Sequence, residues 1–156
     1  MNGKRLTFAL AGNPNCGKTT LFNRLTGSSA AVGNWPGVTV ERKTGTVRYG
    51  GEEAGVVDLP GIYSLTPYTP EEALAGKALT KQKPDLIVNI VDASNLDRNL
   101  YLTTQLAELD IPVVAALNMM DVVKRRGDSV DCSLLSVLLG FPVVPVCASR
   151  GEAVSY

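Results

Sequence analysis

The segment Gly12–Thr19, GNPNCGKT, decides the fold, because it follows an apolar run at Leu6–Ala11 and precedes a helical pattern. It matches the G-x-x-x-x-G-K-[ST] phosphate loop, whose backbone N–H groups turn toward phosphate oxygens. We predict that Lys18 reaches the β- and γ-phosphates and that the Thr19 hydroxyl ligates Mg²⁺. A glycine turn without a ligand is disfavoured, since strand, loop and helix are all in place. The motif predicts a nucleotide without choosing the base.

Apolar runs of strand length recur along the chain. Those that suit buried parallel strands are Leu6–Ala11, Leu86–Val91, Val113–Leu117 and Val143–Val146. The segment Arg42–Tyr49 alternates weakly and leads through two glycines to a shorter apolar run, Gly55–Leu59. This pattern is typical of a hairpin, and it predicts one antiparallel edge strand.

Helical patterns separate these strands. They begin after Lys18, at Thr69 with its capping-box Glu72, at Ser94 with Asp97, and at Leu134 in a leucine-rich run. Strands that alternate with helices predict an α/β fold: a mostly parallel six-stranded sheet with helices on both faces. Ligands of such sheets bind at the C-terminal ends of the strands, which is where the motifs of this chain fall.

Composition narrows the chemistry. The 156 residues suit one domain, and 15 basic and 15 acidic side chains cancel, which disfavours nucleic acid as the main partner. The chain contains no histidine, so catalysis must use carboxylates, hydroxyls, lysine, backbone groups or a cation. Its three cysteines have no metal-ligand spacing, and no apolar run reaches the roughly 18 residues of a membrane span. We therefore expect a soluble chain from a reducing compartment.

A guanine-recognition motif follows the Val113–Leu117 strand. Asn118, Met119, Met120 and Asp121 fit N-x-x-D, in which the aspartate accepts from guanine N1–H and the 2-amino group. Adenine lacks this pair of donors, so such a site rejects it by about 10⁴-fold. Met119 stands where many GTPases have a lysine whose stem lies along the base. Further on, Cys147, Ala148 and Ser149 loosely resemble the loop whose N–H contacts the guanine carbonyl, with a plain surface turn as the alternative.

Two further segments match the segments of GTPases that contact the γ-phosphate and its Mg²⁺. Asp58, Leu59, Pro60 and Gly61 fit D-x-x-G at the end of a strand, with Asp58 predicted near Mg²⁺ and the Gly61 N–H at the γ-phosphate. The connection Gly33–Glu41 carries two glycines and a proline, which predicts a mobile loop, and Thr39 is its candidate Mg²⁺ hydroxyl. Its Trp35 is equally compatible with a partly buried core aromatic.

The residue after D-x-x-G is unusual for this class of site. Ras-type enzymes carry a glutamine there to orient the attacking water, whereas this chain has Ile62. An isoleucine cannot orient water. Either backbone groups and a cation position the water, or the domain binds nucleotide without efficient turnover.

The residues expected to contact nucleotide come from all of these segments. They are Gly12, Asn13, Pro14, Asn15, Cys16, Gly17, Lys18, Thr19, Thr20, Gly37, Val38, Thr39, Asp58, Leu59, Pro60, Gly61, Asn118, Met119, Asp121, Cys147, Ala148 and Ser149. Those expected to act in catalysis are Asn15, Lys18, Thr39 and Gly61. Those expected to ligate Mg²⁺ are Thr19, Thr39 and Asp58.

With these motifs in view, the chain resembles the cytosolic G domains of the FeoB family, the bacterial ferrous-iron transport proteins B. The matching stretches are Gly12–Phe22, Gly33–Glu41 (GNWPGVTVE), Asp58–Leu65, Asn89–Thr104 and Asn118–Asp121 (NMMD). The first is shared with many GTPases. The GNWPGVTVE stretch and the NLDRNLYLTTQL stretch, which begins at Asn95, are far more specific.

This resemblance implies a Ras-like P-loop GTPase fold over residues 1–156 and a slow GTPase that also works without the glutamine. It also implies a K⁺ ion held by Asn15 and by loop carbonyls near Gly33 and Trp35. Residues Gly151–Tyr156 do not resemble the usual continuation, so the final helix is expected to be missing or displaced.

The resemblance further implies partners beyond this chain. They are a helical regulatory domain and a membrane-embedded Fe²⁺ permease at the cytoplasmic face of the bacterial inner membrane, and a homo-oligomer stays open. Two alternatives to a K⁺-stimulated GTPase remain. One is a nucleotide-gated switch with little hydrolysis, and the other is a GTPase that serves RNA or the ribosome.

Overall fold

The computed structural model describes residues 5–148, and they form one mixed sheet with helices on both faces. The strands are β1 (Leu6–Gly12), β2 (Ala31–Asn34), β3 (Glu41–Tyr49), β4 (Glu52–Asp58), β5 (Leu86–Asp92), β6 (Val113–Asn118) and β7 (Val143–Pro145). The helices are α1 (Lys18–Thr26), α2 (Pro70–Lys81), α3 (Leu96–Ala107), α4 (Met120–Arg125) and α5 (Cys132–Leu139). The α/β prediction is confirmed.

The strand order is β2-β3-β4-β1-β5-β6-β7. From β4 to β7 every pairing is parallel, whereas β3 pairs antiparallel with both β2 and β4. The predicted hairpin is confirmed: Tyr49 faces Glu52 across Gly50 and Gly51, which have φ of 61° and 84°. The predicted mostly parallel sheet with an antiparallel edge is confirmed, but the predicted count of six strands was wrong. The sheet has seven strands, and β2 lies outside β3.

Two apolar layers cover the sheet. On one face, α2 and α3 bury Leu79, Leu102 and Leu106 against the strands. On the other, α1 buries Leu21 and Phe22. This arrangement leaves the carboxyl ends of β1, β4, β5 and β6 together at one edge, where the loops of the site begin.

Helix starts follow local capping chemistry. Thr69 accepts from the Glu72 N–H and Glu72 accepts from the Thr69 N–H, so the predicted capping box at the start of α2 is present. The predicted start of α3 at Ser94 was wrong. Ser94 lies in a short 3₁₀ turn capped by Asp92, and α3 begins at Leu96.

No helix within residues 5–148 combines the length and the apolar character that crossing a membrane requires. The expectations for Ser149 and for Gly151–Tyr156 lie outside the described residues.

Candidate nucleotide site

The loop between β1 and α1 forms one wall of a cleft of about 550 Å³. The cleft is lined by Asn13, Pro14, Asn15, Gly17, Lys18, Thr19, Thr20, Gly61 and Met119. Asn15 and Gly17 have φ of 65° and 96°, so the backbone there adopts the left-handed turns of a phosphate loop. No side chain caps the N-terminus of α1. The free N–H groups of its first turn make this end of the helix attractive to an anion.

Lys18 and Asp58 meet in this region. The Lys18 ammonium lies 2.5 Å from Asp58 Oδ1, and the two side chains are only 9% and 8% exposed. Taking two charges out of water offsets most of their attraction, so a buried pair of this kind adds little net stability. Its value is that it brings the predicted phosphate-binding cation and the predicted Mg²⁺-associated carboxylate to one place.

The Asn118 side chain bridges the phosphate loop and the loop after β7 through two hydrogen bonds. Its side-chain amide donates to the Cys16 carbonyl at 3.0 Å, and its Oδ1 accepts from the Ala148 N–H at 3.1 Å. A Cβ on Gly17 would overlap the same amide, so only glycine leaves room for this contact. N-x-x-D spacing predicted Asn118 as a nucleotide contact, but this bridging role could not be read from the sequence, because its partners are distant along the chain.

Of the predicted base-contacting residues of the N-x-x-D motif, Met119 lines the cleft, whereas Asp121 is not among the lining residues. Met119 has a φ of 64°, lines the cleft and precedes α4. Asp121 lies in the first turn of that helix with a side chain 27% exposed, and its carboxylate lies 3.6 Å from the Arg125 guanidinium. This long, exposed ion pair is weak, so the carboxylate can exchange it for other donors.

The D-x-x-G segment runs against the phosphate loop. The Leu59 N–H donates to the Leu10 carbonyl and the Ile62 N–H to the Gly12 carbonyl, both at 3.0 Å. A Cβ on Gly61 would lie 3.1 Å from Pro14 Cα, so the close approach favours glycine. Gly61 lies in the lining of the cleft, next to Pro14.

Ile62 points away from the cleft. Its side chain is 2% exposed and packs in the same apolar cluster as Trp35 and Leu59. The position that holds the glutamine of Ras-type enzymes is therefore a core position in this chain.

Replacing Ile62 with glutamine is expected to destabilise the domain by about 1–3 kcal/mol without accelerating GTP hydrolysis, because a buried amide would lose its water partners. Denaturant unfolding measures the first effect and phosphate release measures the second. Ile62→Leu is the matched control and should cost less than about 1.5 kcal/mol. A stable, faster Ile62→Gln protein would contradict the core role.

The connection between β2 and β3 lies apart from the cleft lining. Gly33 pairs opposite Arg42 in the hairpin, and Gly37, Val38 and Thr39 are exposed. Trp35 is 3% exposed in the core, and its carbonyl accepts from the Val38 N–H at 3.2 Å. The side chain of Trp35 is therefore a core aromatic. Among the described residues that line the cleft, none comes from this connection.

The donor set fits Mg²⁺ better than K⁺. Mg²⁺ takes oxygen ligands and is usually held by one or two side chains together with phosphates and water. Thr19 lines the cleft, and Asp58 contacts Lys18 of the same loop, so this pair would suit such a site. Of the predicted K⁺ ligands, Asn15 lines the cleft. Gly33 lies instead in the β2–β3 pair, and the Trp35 side chain lies in the core.

Cys16 is a packing residue of the loop. Its side chain is 1% exposed, and a Cβ on Gly12 would come within 2.6 Å of its sulfur. Burial raises the pKa of the Cys16 thiol to about 11. The thiol therefore stays protonated at neutral pH and does not act as a nucleophile. Cys147 and Ala148 are also buried, beside the Asn118 contact.

The sequence matches one protein family over nearly its whole length. The family model described as ferrous iron transport protein B matches residues 6–156. A fused Fe(2+) transport protein A and FeoB transporter of Porphyromonas gingivalis is 51% identical over 97% of this chain and 18% of its own length. The Fe(2+) transporter FeoB of Escherichia coli K12 is 50% identical over 97% of this chain and 20% of its own length. The chain thus spans about a fifth of these relatives.

Solved structures agree in fold. The cytosolic domain of L. pneumophila FeoB is 49% identical with a TM-score of 0.88, over 92% of this chain and 63% of that one. A mutant S. thermophilus NFeoB bound to mGDP is 52% identical with a TM-score of 0.92, over 97% and 58%. The cytosolic domain of T. maritima FeoB in a GMPPNP form is 41% identical with a TM-score of 0.92, over 96% and 59%. The chain therefore belongs to the ferrous iron transport protein B family and has the fold of that family's G domain.

Proposed function

We propose that this domain binds GTP and GDP with Mg²⁺ and hydrolyses GTP slowly. One observation carries the proposal: the phosphate loop, Gly61 and Met119 line a single cleft, with Asp58 in contact with Lys18. Relatives in the same family have been solved with mGDP and in a GMPPNP form, which supports guanine nucleotides over others.

Each part of the cleft has a task in this proposal. Backbone N–H groups of the loop and the first turn of α1 bind the phosphates, and Lys18 neutralises their charge. Thr19 and Asp58 would hold Mg²⁺, which neutralises phosphate charge when bound. When nucleotide and Mg²⁺ bind, Lys18 would pair with phosphate and Asp58 with the cation in place of their ion pair with each other. Both buried charges would then stay compensated.

Base choice is assigned to Asp121. Its carboxylate would accept from guanine N1–H and the 2-amino group, while the Met119 side chain in the cleft would contact the base. Against adenine the carboxylate lacks donors, which is the basis of a large discrimination.

Turnover is expected to be slow because Ile62 is a core side chain and cannot orient water. Unaided rates on the order of 10⁻⁴–10⁻² s⁻¹ are typical of such sites. Asn15 lines the same cleft as Lys18 and Thr19, which supports it as the K⁺ ligand suggested by the family resemblance. A monovalent cation there would neutralise charge that develops on the phosphates.

Phosphate release from GTP in K⁺ buffer tests the activity. We expect release in K⁺ to exceed release in Na⁺ by at least about tenfold, since charge neutralisation at the transferred phosphate is worth more than this in related enzymes. Asn15→Ala should remove the difference between the salts. Asn23→Ala, at an exposed position of α1, is the matched control and should preserve it.

The outcomes separate the parts of the proposal. Equal rates in both salts would remove the K⁺ assignment alone. No phosphate release with intact GTP binding would instead favour the nucleotide-gated switch. The buried Trp35 shares its cluster with Leu59 and Ile62, so its fluorescence with GDP and with a non-hydrolysable GTP analogue reports such a switch.

The role of the whole protein extends this proposal. Because the relatives are Fe(2+) transporters about five times longer than the matched region, we propose that the domain regulates ferrous iron transport through a membrane permease. A cytoplasmic position at the inner membrane and a helical regulatory domain as neighbour belong to the same proposal. The equal numbers of basic and acidic side chains disfavour RNA as the main partner.

A further inference from the structure

The segment that follows D-x-x-G rests on α3. The Leu65 N–H donates to Gln105 Oε1 at 2.7 Å, and the Arg98 guanidinium lies 4.4 Å from the centroid of the Tyr63 ring. These two contacts join residues 63–65 to the first and third turns of one helix. Arg98 and Gln105 both lie in the NLDRNLYLTTQL stretch. No residue of this stretch lines the cleft of the proposed nucleotide site.

The same helix is bonded to the phosphate loop and to the sheet beneath it. Asn13, which is 3% exposed, donates its amide to the Arg98 carbonyl at 3.1 Å. Thr103 donates to Asn89 Oδ1 at 2.6 Å, and Asn89 donates to the Ala11 carbonyl at 3.1 Å. The buried Thr103–Asn89–Ala11 chain is bonded at each step, and such chains make an element rigid, whereas the Asn13 side-chain oxygen has no hydrogen-bond partner within the described residues. Helix α3 is therefore a fixed surface relative to the phosphate loop.

The D-x-x-G segment is consequently held from two sides. On one side the Ile62 N–H bonds to the Gly12 carbonyl, and on the other the Leu65 N–H bonds to Gln105. Gly61 immediately precedes Ile62 in the chain, and its backbone lies close to Pro14 of the phosphate loop. A change at the α3 anchor therefore shifts the segment that carries the Gly61 N–H.

We infer that Gln105 and Arg98 are positioning residues, which hold residues 63–65 on α3 and thereby fix Gly61 against the phosphate loop. The inference rests on the proposed function in one respect: the Gly61 N–H is the group assigned to the γ-phosphate. It follows that these side chains act on the distinction between GTP and GDP, although neither lines the cleft. Both lie on the outer part of the helix, Arg98 exposed and Gln105 half-buried, so substitutions there are compatible with folding.

The test compares Gln105→Ala with Gln105→Glu in the wild-type background. Alanine removes the acceptor, whereas glutamate keeps an oxygen for the Leu65 N–H. We expect Gln105→Ala to lower the affinity for a non-hydrolysable GTP analogue about fivefold while GDP affinity stays constant, the usual effect of one hydrogen bond. Gln105→Glu should restore it. Amide exchange at Leu65 should accelerate in Gln105→Ala and return to its wild-type rate in Gln105→Glu.

A variant at Arg98 tests the same inference independently. Arg98→Ala removes the stacking on Tyr63 and should lower the same affinity ratio, and Tyr101→Ala, an exposed aromatic on the same helix, is the matched control that should leave it unchanged. A ratio equal to wild type in both Gln105→Ala and Arg98→Ala would overturn the inference. If wild type bound neither nucleotide, the proposed function would fail, and Leu65 exchange would still decide the positioning role: an unchanged rate in Gln105→Ala would overturn it.

Discussion

Gly17→Ala is expected to weaken GDP binding at least about a hundredfold. Gly17 has a φ of 96°, and an added Cβ would overlap the Asn118 amide. That amide holds the Cys16 carbonyl, and its Oδ1 holds the Ala148 N–H. Displacing one buried side chain that makes two hydrogen bonds costs enough free energy to change an equilibrium by two orders of magnitude. Isothermal titration with GDP measures the loss.

Gly127→Ala is the control that separates backbone strain from collision. Gly127 has a φ of 80°, yet nothing lies within 4 Å of the position a Cβ would take. This variant should lose about 1 kcal/mol of stability to the left-handed backbone and keep its GDP affinity. If Gly17→Ala bound GDP as tightly as Gly127→Ala, the close contact between the phosphate loop and Asn118 would not matter for binding.

Asp121→Ala is expected to reduce the preference for GDP over ADP by at least about a hundredfold. The carboxylate is the acceptor assigned to the two guanine donors, and rejection of a base that lacks these donors is worth up to about 10⁴-fold or more. Competition of GDP and ADP against a fluorescent guanine nucleotide measures the ratio for each variant.

The matched control for this variant is Asp128→Ala. Asp128 is an exposed carboxylate shortly after α4, so its removal changes the net charge equally. Its GDP preference should equal that of wild type. Equal loss in both variants would point to a general charge effect, and no loss in Asp121→Ala would remove the residue from base recognition.

The fold was predictable where local sequence carries its own signal. The parallel strands β1, β5 and β6 lie in largely apolar runs, as does β7, although β7 is an edge strand that is only partly buried, and the Gly50-Gly51 turn determines the β3–β4 hairpin. The capping box identifies the start of α2 to the residue. In each case a few adjacent residues suffice, because the physical preference is local.

The predictions were wrong or undecided where contacts between distant residues determine the local structure. The four residues of β2 are all exposed, so they show no apolar alternation, and the strand exists because it pairs with β3. The Ser94 and Asp97 pattern predicts a start of α3 at Ser94, whereas Asp92 caps a 3₁₀ turn there and α3 begins at Leu96, because the same short polar residues suit both kinds of turn. For Trp35, the sequence could not choose between core and loop, since burial depends on distant Leu59 and Ile62.

The site divides in the same way. Motif spacing predicted the phosphate loop, Asp58, Gly61 and Met119, and the structure brings these together. Spacing could not predict that Asn118 bridges two loops or that Asn13 bonds to Arg98. These contacts join residues far apart in sequence, and no local pattern encodes them. The loop that carries Thr39 lies outside the cleft lining, so its role in binding stays a prediction.

The most direct measurement is a calorimetric titration of the wild-type chain with GTP and with ATP in Mg²⁺ buffer. With the phosphate loop, Lys18 and Met119 lining the cleft, and with Asp121 assigned to the guanine base, the proposal predicts tight GTP binding and ATP binding weaker by about 10⁴-fold. Equal affinities for the two nucleotides would contradict the assignment of this cleft as a guanine-nucleotide site.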